Sequence, residues 1–216
     1  MESKQLIEKT KEHVKKELSS EFTGHDYWHI HRVWKLSKQI GKKEDVNLQV
    51  VELAALLHDL GDSKLFDYEN ESDPARDWLS KLTKDEALIN HVCHIIDNMS
   101  FQKELEEESV DLSLEGQVVQ DADRLDAIGA VGIARAFAYG GNRKRLIHNP
   151  SKKPNLSITG EEYLSSNGTT INHFYEKLLL VKDKMNTDIG KEMAEKRHAF
   201  MKEFLDRFYK EWEGKK

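Results

Sequence analysis

Apolar positions recur at helical spacing along most of the chain, set among charged ones. Leu6, Ile7, Val14 and Leu18 form one face of an otherwise charged N-terminal segment, the stripe of an amphipathic helix. A second helix is predicted over Tyr27–Ile40, with Ile30, Val33, Trp34 and Leu36 inward, and Gly41 ending it. The third runs from Val46 to about Asp59 and contains VVELAALLHDL, apolar nearly all round, which marks the most buried helix; Gly61 closes it. After a loop from Asp62 to Asp73, Pro74 suits the first turn of a short helix ending at Leu82. Leu88, Ile89, Val92, Cys93 and Ile96 predict a helix over Asp85–Met99. Leu114 to about Tyr139 reads as one helix, its alanines and glycines permitting close packing, and Thr170–Lys184 and Thr187–Trp212 read as two closing helices. No segment alternates convincingly with period two, so the fold class expected is all-α.

Length and composition bound the rest. A chain of 216 residues fits one domain, expected to span 1–216 with C-terminal helices (about 170–213) packed on the core. One cysteine, Cys93, excludes an internal disulfide framework and any Cys-rich zinc site, so a metal here would take the nitrogen and oxygen ligands of ten histidines and the acids. Net charge −6 argues against non-specific binding to a nucleic-acid backbone or an anionic membrane, and leaves small phosphorylated ligands open. The N-terminus has no apolar run of a signal peptide and no stretch approaches eighteen apolar residues, so a cytoplasmic protein with no membrane partner is expected. The acidic run Lys103–Ser109 reads as a solvated loop. Gly140–Asn155, with two glycines, two prolines and five basic residues, reads as a functional loop or lid, or else as a disordered connector.

Four pieces carry chemistry: His25-Asp26-x-x-His29-x-x-Arg32, His58-Asp59-Leu60-Gly61-Asp62, His91-x-x-His94 and Asp121-Ala122-Asp123-Arg124-Leu125-Asp126. An adjacent imidazole and carboxylate at the end of the most apolar helix are costly to bury without partners. A divalent metal is one such partner; a capping Asp beside a satisfied core His is the other.

The order H…HD…D resembles the HD-domain superfamily of metal-dependent phosphohydrolases. The resemblance extends to the small bacterial members through HDYWHIHRVWKL, LLHDLGDSK, QDADRLDAIGAVGIARAFAYGG and INHFYEKLL…EKRHAFMKEFL. It implies an HD-domain helical bundle with one divalent transition metal (manganese, iron, nickel, cobalt or zinc) held by His29, His58, Asp59 and a late Asp. The Asp of an Ala-Asp pair is the superfamily's ligand, which matches Asp123. Asp121 lies on a different helical face, and Asp126 suits a supporting role or a pairing with Arg124. By the same resemblance Asp62, three residues after the HD pair, is the candidate general acid/base. His25 is open between a cap, a phosphate contact and a structural role.

A phosphorylated substrate needs cations. Arg32, Lys64 and Lys177 are the candidates chosen, with His91, His94 and Tyr139 also assigned to substrate; helix packing is the alternative for the two histidines. Arg135, Arg143, Arg145, His173, Arg197 and His198 are weaker candidates. Trp28 and Phe137 are expected in the core, and His31 on the surface. The resemblance implies hydrolysis of a nucleoside triphosphate to a monophosphate and pyrophosphate. Phosphomonoester hydrolysis, or a non-catalytic nucleotide sensor, are the alternatives.

Overall fold

The structure is a computed structural model that describes residues 2–18, 26–61, 68, 70–100, 110–156 and 168–215. Among these residues the secondary structure is helical throughout, with nine α-helices, one 3-10 helix and no strand. The chain divides into two compact units, Met1–Asp123 and Arg124–Lys216. His25, Asp62, Lys64 and the acidic run Lys103–Ser109 lie outside the described residues.

The first unit holds α1 (Ser3–Glu17), α2 (Tyr27–Gly41), α3 (Leu48–Leu57), α4 (Asp73–Leu82), α5 (Glu86–Asn98) and most of α6 (Leu114–Asp126). Helix α3 is its centre: every residue from Val50 to Leu57 is buried, and it packs against α1, α2 and α5. Its one charged residue, Glu52, would be expensive in such a place without partners. It has two from α2, accepting from the Trp34 indole at 2.8 Å and pairing with the Lys38 ammonium at 3.1 Å. Asn47 caps α3 by accepting from the Gln49 N–H, and its own N–H donates to the Glu115 carboxylate at 2.9 Å, tying the start of α3 to the start of α6.

Helix α3 stops at Leu57, two residues short of the predicted end, and His58-Asp59-Leu60-Gly61 is a turn. Gly61 is where the chain makes its closest approach: a Cβ there would sit 2.1 Å from the Glu71 carbonyl oxygen. Only glycine lets the backbone after the His-Asp pair lie against Glu71. On α2, Ile30, Val33 and Trp34 are buried as the spacing requires, but Trp28 is 59% exposed, not in the core. Its ring sits at the first turn, edge-on to Tyr27 and His31. His31 is half-buried among Tyr27, Trp28 and Trp34.

The second unit, taken by itself, holds the end of α6, then α7 (Gly129–Asn142), α8 (Thr170–Glu176), a 3-10 helix (Leu178–Lys184) and α9 (Asp188–Trp212). The single helix expected over Leu114–Tyr139 is therefore two. The break falls at Ala127-Ile128-Gly129, where Gly129 adopts φ +77, a conformation side chains rarely take. The Arg197 side chain from α9 lies over Gly129 and donates to the Leu125 carbonyl, which also accepts from the Ile128 N–H at 3.3 Å. Arg124 donates to the Lys184 carbonyl, and Asp126 pairs with Arg135 at 2.9 Å across the break. The helix expected over Thr170–Lys184 also breaks, at Lys177 (φ −142, ψ −58), beyond which the chain tightens to 3-10 geometry. Phe137, Phe174, Phe204 and Phe208 form a ladder of rings through this unit; Phe137 is half-buried.

Candidate metal centre

Three elements of the first unit bring His29, His58, Asp59 and Asp123 together. His29 lies in the first turn of α2, which begins there because Asp26 is the N-cap: its carboxylate accepts the His29 N–H at 2.8 Å. His58 and Asp59 sit in the turn that ends α3. Asp123 projects from α6, whose Val118, Val119 and Ala122 are fully buried. One ligand atom each from His29, His58 and Asp59 lies within 4.8 Å of the others. The His29 Nε2 is 3.3 Å from Asp59 and 3.4 Å from Asp123, and the His58 Nε2 is 3.3 Å from Asp59 and 3.9 Å from Asp123.

The His58 ring shows what this arrangement is suited to hold. Its Nδ1 lies 3.0 Å from the Ala55 carbonyl, an acceptor, so Nδ1 carries the proton in the neutral ring and Nε2 presents its lone pair. That Nε2 is buried without a hydrogen-bond partner and faces two carboxylates. Lone pair against carboxylate is repulsive; a cation between them reverses the sign. His29 and His58 are 1% and 7% exposed and Asp59 7%, so water screens little of this. At Asp123 burial pushes the carboxyl up, but a hydrogen bond and positive charge from protonated His29, with charge from protonated His58, outweigh it and hold the group well below the usual carboxylate range. A metal ion there would supply that positive charge in place of the ring protons. Two imidazoles and two carboxyl groups, with no sulfur, suit a divalent first-row ion.

The comparisons agree with this geometry. The family model described as the HD domain matches residues 27–128, the stretch that contains all four groups. The uncharacterized protein YpgQ of Bacillus subtilis (strain 168) is 42% identical over 198 residues, 91% of this chain and 89% of the relative. The chain belongs to the HD-domain superfamily. An HD-superfamily hydrolase from Bacillus thuringiensis matches with TM-score 0.78 and 42% identity over 98% of this chain and 99% of its own. The crystal structure of B. subtilis YpgQ in complex with ADP matches with TM-score 0.76 and 38% identity, covering 98% and 97%.

The other residues singled out for this HD protein are placed as follows. Arg32 is half-buried on α2, one turn beyond His29. His91 is bound at the start of α6, with its Nε2 2.9 Å from the Ser113 hydroxyl and 3.7 Å from Glu115. His94 is exposed, with its carbonyl accepting from Asn98 at 2.8 Å. Asp121 and Asp126 are buried, and neither belongs to the His29–His58–Asp59 group. Tyr139 and Lys177 belong to the second unit. Two supporting groups escape a reading by ligand type: Asp26, which an Asp three residues before a helical His does signal as a cap, and the Ala55 carbonyl, which no side-chain pattern reveals. No helix among the described residues is long and apolar enough to cross a membrane.

Proposed function

We propose that this protein is a metal-dependent nucleotide phosphohydrolase that converts a nucleoside triphosphate to a monophosphate and pyrophosphate. The observation that carries the phosphohydrolase reading is the buried His29–His58–Asp59 group with Asp123 beside it, the His58 lone pair turned towards carboxylates. The nucleotide is supported by the ADP bound to the related YpgQ. Manganese, iron, nickel, cobalt and zinc all suit the donor set.

A divalent ion bound by His29, His58, Asp59 and Asp123 would supply Lewis acidity to a phosphate oxygen and lower the pKa of water. The chain's own residues prepare for this. Asp26 fixes the backbone at His29, and the Ala55 carbonyl sets the His58 tautomer so that its Nε2 faces the site. Asp62 directly follows Gly61 in the sequence and is proposed for its place in the motif. In the proposed reaction the oxygen of water bonds to the α-phosphorus, the bond to the β-phosphate breaks, and Asp62 takes the proton from water. Arg32 and Lys64 are proposed to take phosphate oxygens, with His91 and His94 ordering the rest of the substrate.

The test is a panel of nucleoside mono-, di- and triphosphates incubated with metal-stripped protein, with and without each metal, resolving phosphate from pyrophosphate. Pyrophosphate from a triphosphate is the expected product. Phosphate from monophosphates would replace the reading with a phosphomonoesterase. No turnover with any metal, in protein that binds metal, would replace it with a nucleotide sensor. Asp62→Ala is expected to keep its metal and lose turnover by about a hundredfold or more; unchanged turnover removes Asp62 from the reaction.

A further inference from the structure

We infer that the lysine-lined cleft over Trp34, on the C-terminal half of α2, is an anion site that takes a triphosphate group and is separate from the metal centre. The cleft has a volume of about 460 Å³ and is lined by Trp34, Lys35, Lys38, Gln39, Lys42 and Lys43. Lys35, Lys38 and Lys42 recur at i, i+3 and i+7, along one face of α2 and of the turn that continues it. The Lys42 N–H still donates to the Lys38 carbonyl, at 3.2 Å, so the row does not break where α2 ends. Lys11 joins it from α1. Its ammonium lies 4.8 Å from the centroid of the Trp34 ring, and that of Lys38 4.5 Å. The ring beneath them is held in place, because its Nε1 donates to the buried Glu52 carboxylate of α3 at 2.8 Å.

Two of these lysines have carboxylate partners: Lys38 pairs with Glu52 at 3.1 Å and Lys11 with Glu8 at 3.0 Å. Lys35, Lys42 and Lys43 are exposed and make no ion pair among the described residues, although Glu44 and Asp45 follow them directly in the chain. The field at a helix C-terminus favours cations, which accounts for Lys38 and Lys42. It does not account for Lys35, one turn earlier, or for Lys11 on another helix. From Lys35 to Lys42 the row runs about 10 Å at 1.5 Å per residue. A carboxylate or a single phosphate meets one end of it; three linked phosphates reach along it. Ammonium groups act as point charges and take such dispersed oxygens without requiring one plane. A nucleic-acid strand fits less well, since its phosphates beyond the cleft would meet a chain of net charge −6. Gln39 lies about 15 Å along α2 from His29 at the same rise, so phosphates held here are not those over the metal.

The site goes beyond the proposed function and does not depend on it, because binding is measured without turnover. Tripolyphosphate is titrated by calorimetry into the full chain stripped of metal, at about 0.15 M salt to screen diffuse attraction. The wild type is expected to bind. The double variant Lys35→Gln/Lys42→Gln should weaken binding about tenfold or more, and Lys84→Gln, an exposed charge control between α4 and α5, should change it less than about twofold. If circular dichroism shows the double variant misfolded, Lys43→Gln takes its place, with a loss of about threefold or more expected. Orthophosphate should bind about tenfold or more weakly than tripolyphosphate. No binding by the wild type, equal losses in the double variant and the control, or equal affinity for orthophosphate would overturn the site. A nucleoside triphosphate titrated in the same way identifies the source: binding that the double variant weakens assigns the group to a nucleotide, and binding of tripolyphosphate alone assigns it to the free anion. In the metal-loaded enzyme the double variant should keep KM within about twofold of the wild type. A rise in KM that matches the calorimetric loss would put the cleft in the substrate site and overturn its separation from the metal centre.

Discussion

His58 is set by a hydrogen bond on one side of its ring. The Ala55 carbonyl takes Nδ1, and the buried Nε2 is left towards Asp59 and Asp123. Removing a ligand therefore removes the cation's seat and leaves the rest of the ring's environment intact. Asp59→Ala should lower bound metal to about a tenth or less by elemental analysis, and turnover by about a hundredfold or more. Normal metal content in Asp59→Ala would discard this ligand set. At His173 the sign of the pH dependence follows from its depressed pKa. The unfolded chain takes up a proton as pH falls through about 6.5, while the folded imidazole stays neutral until about 3. Stability contributed by this group is thus complete above pH 6.5 and lost between there and 3. His173→Gln should flatten that acid loss, by about 1 kcal/mol at pH 5 after allowance for partial exposure, measured by urea unfolding at pH 7 and pH 5.

Among the elements, the turns matter more than the helices they join. Gly61 meets Glu71 backbone, which cannot move aside as a flexible side chain would. Gly61→Ala should cost about 2 kcal/mol or more and reduce metal affinity, because the His-Asp turn must shift. Thermal unfolding together with a metal titration tests both halves, and a silent substitution would separate Gly61 from the site. Gly129→Ala faces a left-handed φ and the Arg197 side chain, and is expected to cost about 1–2 kcal/mol. The helix spanning 114–139 was legible as apolar spacing but its break was not. Gly129 looks like any other small residue in AIGAVGIARAFA until α9 supplies the arginine that covers it. Lys177 ends α8 for a reason equally invisible in the local pattern, since EKLLL has good helical propensity.

At the scale of the whole molecule, metal and stability are linked by mass action. An ion that binds the folded chain alone, at a hundred times its dissociation constant, adds about 2.7 kcal/mol. For a chain of this length that corresponds to a rise in Tm of about 5–10 °C. Metal-stripped protein should show that gain on reconstitution, and His58→Ala should not; equal gains in both would place the stabilising ion elsewhere.

The all-α class, most helix positions and the buried character of α3 were determined by the sequence alone, because burial repeats with the period of the backbone. The order of His29, His58-Asp59 and Asp123 was as legible, since it lies in residue identity and spacing, and the family follows from it. Tertiary structure decided what depends on groups distant in the chain. It exposed Trp28 and half-buried His31, paired Asp126 with Arg135, and broke two expected helices at Gly129 and Lys177. It also turned the His58 lone pair towards two carboxylates. Spacing reports which side of one helix a residue occupies. Which partner meets it there is set by packing between elements, where charge, hydrogen-bond geometry and close backbone approach act together.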